Sequence, residues 1–462
     1  MSLRPFPASA AALAAALACA SCASTDRSAP AAAALARTAP VAAVPPSSRP
    51  EAVASARIEL VPRGKGLPTR SQWREGFAVA DLNGDGPVDV VFGPPRKGAK
   101  RPGVFVGDGL GAFRFWAEAV FPKLGYDYGA ATTGDWNGDG LLDVAFAVHL
   151  RGLTALIQEP GGRFAPYSDG LVLLPPEAPV ADALFSSRAL VTADWNGDGR
   201  PDLVALGEGP GRGETSDAAS AARRGLRVFL NRLGEWETVL PPVPEEEFGD
   251  ALAVGDVTGD GKPDAVVTSS LLGSKRILRR GSGKGWSAEE IAPIRPEAYV
   301  TAVAIGRFDR DAVADVAVAW LSIAGGAWAS GIDLLFARPG TAHGFEARTV
   351  WSRAERLRIT SLAAGDLDGD SWNDLVALDE AGTIQAFLGD GMGFLTRDAS
   401  VPAPQARAGC SGASILLRDV DGDGTDDAVA AFAGERDAMG AAGGRAGCPS
   451  GGAIEVWSAR PR

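Results

Sequence analysis

Residues 76–92 read GFAVADLNGDGPVDVVF. A short apolar run leads into Asp81-Leu82-Asn83-Gly84-Asp85-Gly86-Pro87-Val88-Asp89, and a second apolar run follows. Two such runs around a turn rich in Gly, Asp and Asn predict a strand, a tight loop and a strand. The core, Asp-x-Asn-x-Asp-Gly-x-x-Asp, recurs with small variations from Asp135, Asp194, Asp256, Asp366 and Asp419, with a degenerate copy from Arg307. The seven starts lie 51 to 62 residues apart, and each copy runs into an aliphatic segment such as DVVF, DVAFA or DLVAL. Self-similarity at this period marks one supersecondary unit stacked many times.

A second pattern lies out of phase with the first. After each loop and its strand come another strand, a Gly-rich turn and an aromatic residue, as in GVFVGDGLGAF ending at Phe113, LRVFLNRLGEW ending at Trp236 and IQAFLGDGMGF ending at Phe394. Phe164, Trp286 and Phe345 hold equivalent places. Each unit thus holds four strands, and seven of them predict an all-β, seven-bladed β-propeller of four-stranded blades over residues 56–462. The seventh unit offers only a third strand, Ala453 to Ala459, whereas Arg57 to Val61 precedes the first unit and has no hairpin of its own. This N-terminal strand is expected to close the last blade and remove the open sheet edges. Cys410 and Cys448 fall in that blade, where a disulfide is expected to reinforce the seam, two reduced buried thiols being the alternative.

A hard cation such as Ca²⁺ takes six to eight oxygens, and carboxylates at alternate positions of a tight loop supply them. Positions one, three, five and nine carry Asp81, Asn83, Asp85 and Asp89 in the first loop, and Asp135, Asn137, Asp139 and Asp143 in the second. The third has Asp194, Asn196, Asp198 and Asp202, and the fourth Asp256, Thr258, Asp260 and Asp264. Asp366, Asp368, Asp370 and Asp374 follow in the sixth, and Asp419, Asp421, Asp423 and Asp427 in the seventh. Position seven, held by Pro87, Leu141, Arg200, Lys262, Trp372 and Thr425, shares no side-chain chemistry, as suits a ligand that is a backbone carbonyl. Position two is always apolar, from Leu82 to Val420, and predicts packing against a neighbouring blade. An EF-hand is ruled out, because position twelve is Phe92, Phe146 or Ala205 inside an apolar strand rather than a bidentate Glu.

On these loops the chain resembles an FG-GAP/VCBS repeat protein, the group whose blades also form the calcium-binding propeller of integrin α subunits. The resemblance runs from about Arg57 onward and implies Ca²⁺ at the blade loops; it says little about a ligand. The copies differ. Ser371 replaces Gly in the sixth, while the fifth puts Arg307 at position one and Ala312 at position six. The fifth is expected to be empty, with the Arg307 guanidinium standing in for the ion against Asp309, Asp311 and Asp315, leaving about six Ca²⁺ sites. The loops hold 24 aspartates in a chain of net charge −12, so the acidity is ligand chemistry rather than a surface for a basic partner.

Residues 1–18 carry one early cation, Arg4, and an apolar stretch too short to span a bilayer, which predicts a lipoprotein-type signal peptide. Ala16-Leu17-Ala18-Cys19 resembles a bacterial lipobox with Leu one place late; Cys22 is the other candidate for lipidation. Residues 19–55, rich in Ala, Pro and Ser, read as a tether. A secreted or envelope protein, monomeric and touching the membrane only through a lipid anchor, is expected. Net acidity disfavours nucleic acid, and the basic run Arg96, Lys97, Lys100 and Arg101 reads as a solvated hairpin loop.

No catalytic or organic-cofactor motif is evident. The two histidines, His149 and His343, have no metal-ligand spacing or evident partner, and Tyr126 and Tyr128 are only candidates for a place near a propeller mouth. The expected role is a binding or adhesion scaffold for a glycan or protein, with the inserts Gly207 to Arg224 and Ala433 to Gly452 as candidate contact loops. The alternatives are a carbohydrate-active enzyme of polysaccharide lyase or sugar dehydratase type, and a purely structural envelope subunit.

Overall fold

The apolar runs become strands because β-branched and aliphatic residues suit a pleated, buried surface, and each run is too short for a helix. The computed structural model describes residues 57–462 apart from 75, 97–98, 180–184, 210–223, 241–247, 250, 269–275, 283–284, 292–297, 339–343, 402–409, 435–447 and 449–450. Signal peptide, tether, lipidation candidates and His343 therefore lie outside the described residues, as do the middles of both long inserts. The described residues hold 28 strands and no helix. They form seven four-stranded antiparallel sheets, an arrangement consistent with a seven-bladed propeller.

The first sheet shows the plan: Phe77–Ala80, Asp89–Phe92, Gly103–Gly107 and Phe113–Phe115 pair in chain order. The seventh departs from it. Ser411–Arg418, Asp427–Ala433 and Gly452–Pro461 are followed at the edge by Ile58–Arg63. That N-terminal strand runs antiparallel to the third, with Ile58 opposite Pro461 and Arg63 opposite Val456. Its entry is fixed from the sixth sheet, where the Asp398 carboxylate accepts the N–H groups of Arg57 and Ile58 at 2.8 and 3.0 Å. Cys410 and Cys448 are joined by a disulfide with a Cα–Cα distance of 4.5 Å.

The core is divided among the seams between sheets. Seven buried clusters are found, and each contains residues of two neighbouring sheets. One of them joins Phe77, Val79 and Phe92 of the first sheet to Val420, Val429 and Val456 of the seventh. An open stack of seven sheets would have six seams. The side chain at loop position two is the plug of each seam: Leu82, Trp136, Trp195, Val257, Phe308, Leu367 and Val420 are all buried, one in each cluster. A loop that grips its position-two residue therefore also fixes how two sheets meet.

Candidate metal centres

Every loop joins the first strand of a sheet to the second, and its ninth residue is the first residue of that second strand. Asp89, Asp143, Asp202, Asp264, Asp315, Asp374 and Asp427 are all buried there. One oxygen of each accepts the backbone N–H of position two, at 2.7 to 3.1 Å in all seven loops. The other accepts a third-strand N–H in at least five of them, from Gly107, Gln158, Asn231, Ala337 and Gly389. The ninth aspartate is thus a main-chain staple between loop and sheet as well as a candidate ligand, a role the sequence reading did not assign. Burial raises these carboxyls: Asp89, Asp143, Asp202, Asp315 and Asp427 to about 6 and Asp374 to about 7, with the neighbouring loop aspartates pushing the same way.

The first aspartate folds the loop around itself. In the first copy Asp81 accepts N–H groups from Gly84 at 2.8 Å, Asp85 at 3.1 Å and Gly86 at 2.9 Å. All three bonds recur around Asp135 and Asp256, and two of the three around Asp194, Asp366 and Asp419. The wrap needs left-handed backbone at positions four and six, which glycine supplies, as at Gly84 with φ +75° and Gly86 with φ +104°. In the sixth loop Ser371 adopts φ +68° at position six, so a non-glycine residue bears the strain. Position five meanwhile accepts the N–H of position seven at Leu141, Arg200, Lys262, Trp372 and Thr425; Pro87 has no N–H to give.

Whether this donor set suits a cation is tested by what the main chain leaves over. Asp366, Asp368 and Asp374 bring one oxygen each to within 4.8 Å of one another, and so do Asp419, Asp421 and Asp427. Oδ1 of Asp368, of Asp421 and of Asp427 is buried and has no hydrogen-bond partner, nor has the buried Thr258 Oγ1 of the fourth loop. Buried anionic oxygens without donors are costly, and a cation is the partner their chemistry calls for. In the first two loops the position-three amides turn a nitrogen inward, Asn83 to Asp85 and Asn137 to Asp139, which ties positions three and five together.

The fifth loop carries a correction. Arg307 does not stand in for the ion: its backbone N–H donates to Asn373 of the sixth loop, and the cation on the aspartates is Arg338. Arg338, just past the third strand of that sheet, meets Asp309 at 2.9 Å and Asp311 at 3.0 Å, and its guanidinium lies over Phe336. Asp309, Asp311 and Asp315 still converge, but without a first carboxylate the loop has no left-handed residue. The seventh loop has a cation nearby too, since Arg460 contacts Asp421 and Asp423. Asp426, at position eight, bonds the N–H of Asp366 at 2.9 Å across the seam, as Asn373 does for Arg307, so it is a cap between sheets.

A family model for the FG-GAP-like repeat matches residues 81–146, 194–267 and 333–430, more than half of the chain. The chain belongs to the FG-GAP-like repeat family. Each match spans two consecutive loops, and the fifth loop, with Arg307 and Ala312, falls in the gap between the second and third. No curated protein matches the chain. Physical divergence and FG-GAP repeat divergence thus coincide at the copy whose first carboxylate is missing.

The remaining sequence candidates sit at the other end of the FG-GAP repeats, where first strands begin and second strands finish. Tyr126 and Tyr128 are buried there, Tyr126 against Phe146. His149, which the sequence left without a partner, bonds Glu208 through Nδ1 at 2.8 Å. In the basic run, Arg96 lies over Tyr128, Lys100 pairs with Asp127 and Arg101 lies over Phe115, so these cations are engaged rather than merely solvated.

Proposed function

We propose that the seven sheets are the blades of a closed propeller that binds about six Ca²⁺ ions and serves as a binding or adhesion scaffold for a glycan or protein ligand. The observation that carries this reading is the set of buried carboxylate oxygens without donors at Asp368, Asp421 and Asp427, in loops whose position-two residues plug the seams. The family membership and the cluster joining first and seventh sheets support the ring. Calcium in these loops would supply an ion to coordinate the converged oxygens, whose charge Arg57 at Asp368 and Arg460 at Asp421 and Asp423 meet only in part. The chain's own residues do the rest: first aspartates wrap the loop, ninth aspartates staple it to the sheet, and position two locks the seam. The fifth seam relies on Arg338 in place of an ion. The aspartates are committed to this work, and the reading assigns them no catalysis.

Export fits an envelope scaffold, with a lipid anchor at Cys19 or Cys22 as the attachment. Among the described residues no helix is long and apolar enough to cross a membrane. Calorimetric titration of chelator-treated protein should show about six calcium ions bound and a rise in melting temperature. A glycan array with a pull-down from envelope extract then reads binding, and incubation with a polyuronate panel reads any lyase activity. Absence of both calcium uptake and a thermal shift would refute the scaffold reading. Unsaturated sugar products would replace it with the enzyme reading.

A further inference from the structure

The third strand of each sheet ends beside its aspartate loop, and the register fixes which residue arrives there. In the fifth sheet Val316 faces Leu335, so Phe336 is opposite Asp315 and Arg338 stands two places further on. The same count from Asp202 and Asp427 gives Arg232 and Arg460. From Asp89, Asp143 and Asp374 it gives Asp108, Glu159 and Asp390. All three arginines turn onto aspartates of their own loop. Arg232 lies 3.6 Å from Asp198, Arg338 meets Asp309 and Asp311 at 2.9 and 3.0 Å, and Arg460 contacts Asp421 and Asp423. The acids are engaged elsewhere. Asp108 accepts the N–H groups of Leu110 and Ala112, Asp390 accepts those of Met392 and Phe394, and Glu159 lies 3.8 Å from Arg163. In the seventh loop Arg460 meets Oδ2 of Asp421, while Oδ1 of that nearly buried side chain and Oδ1 of Asp427 have no hydrogen-bond partner. One loop thus holds both a tethered cation and oxygens that it leaves uncovered.

We infer that this third-strand place sets how tightly its loop holds calcium, with Arg232 and Arg460 as tethered cations that compete with the ion in the third and seventh loops. The inference rests on calcium filling the aspartate loops, and it adds an order among them. A guanidinium bonded to a ligand carboxylate must turn away, or its charge repels the incoming dication from a few ångströms off. The competition falls on position five in both loops, at Asp198 and Asp423, and also on position three at Asp421. The tether has a second effect. Before calcium arrives, Arg460 offsets the repulsion among the seventh-loop aspartates, in the sheet that Ile58–Arg63 completes. Asp108 and Glu159, by contrast, add negative charge at the same place in the first two sheets. Arg338 is the end of the series: a loop without its first carboxylate keeps the arginine alone.

The test is calorimetric titration of calcium into chelator-treated full-length protein, as wild type, Arg460→Gln, Arg232→Gln and the converse change Glu159→Arg. Each glutamine should raise the affinity of one site about tenfold or more, the worth of a charge-assisted bond, and Glu159→Arg should lower that of one site by a similar factor. Melting curves on the same samples separate competition from packing. Arg460→Gln should melt lower than wild type in chelator and show a larger rise with calcium, whereas an arginine that only packs would lower both curves equally. Should Arg460→Gln fail to fold, Arg232→Gln and Glu159→Arg still decide the matter. Unchanged affinity in the variants, with calcium uptake intact, would overturn the inference and leave the metal reading standing. No uptake by wild type or any variant would refute the metal reading and this inference with it.

Discussion

Asp374→Asn separates the two roles of a ninth aspartate. Fully buried, the Asp374 carboxyl is held at about 7 against a usual 3.8, chiefly by burial and then by its loop neighbours. At about 1.4 kcal/mol per unit, keeping it ionised at pH 8 costs the metal-free fold about 4 kcal/mol. The amide avoids that cost. It turns an NH₂ toward either the Leu367 or the Gly389 N–H, each of which now donates at 2.7 Å, and leaving one of them unbonded costs about 1–3 kcal/mol. In chelator the variant should therefore be about 1–3 kcal/mol more stable than wild type. Over roughly 400 residues that is a rise of about 1–4 °C in melting temperature. With calcium the sign should reverse, because the variant has lost a charged ligand. Scanning calorimetry at pH 8 with and without chelator measures both arms. An equal fall in stability in both conditions would show that Asp374 is only a staple and that no cation depends on it.

The same shifts set the pH behaviour of wild type. Asp89, Asp143, Asp202, Asp315 and Asp427 hold protons to about pH 6, above their unfolded 3.8, so the native state binds more protons than the unfolded chain across that window. In chelator, melting temperature should fall as pH rises from about 4 to 6, and the increment restored by calcium should grow over the same range; a flat increment would contradict this. Arg338→Ala should lower stability by about 1–3 kcal/mol to the same extent with and without calcium, because it strands Asp309 and Asp311 in a loop that lacks the first carboxylate of a calcium site. Asp419→Ala should reduce the calcium-dependent part of the melting shift more than Asp309→Ala does, and equal effects would remove the ranking of the loops. Reducing Cys410–Cys448, which closes a separation of 38 residues, should cost about 4 kcal/mol, read by denaturation with and without reductant.

Loop spacing and alternation made the sheets legible, because each blade repeats the same local grammar. The partner for Ile58–Arg63 could be read because one unit lacked a strand and another segment had one to spare. The position-two residues were legible as packing for a similar reason: an invariably apolar side chain inside an acidic loop has nowhere else to go. What stayed hidden depends on side chains meeting across seams and hairpins. Arg307 was the obvious cation for the fifth loop because it occupies the ligand position, yet the aspartates are met by Arg338, which follows the third strand of the same sheet. Nothing local to His149 announces Glu208, which arrives from the next sheet. Asp426 was given no role from the sequence, and only the bond to Asp366 reveals a cap. A polar residue at position eight, shared with Asn373, was the one available hint.

The strand Ile58–Arg63 has a consequence for how the molecule is made. It leaves the ribosome before every other strand and pairs with Gly452–Pro461, which leaves last. During synthesis its hydrogen-bonding edge must wait, unpaired, while nearly the whole chain follows, and such edges invite pairing with the wrong partner. The Asp398 carboxylate that holds Arg57 and Ile58 is itself a late arrival and offers no early shelter. Assembly therefore ends in a single latch, and a chaperone shielding that first segment in transit would guard the step on which all the others depend.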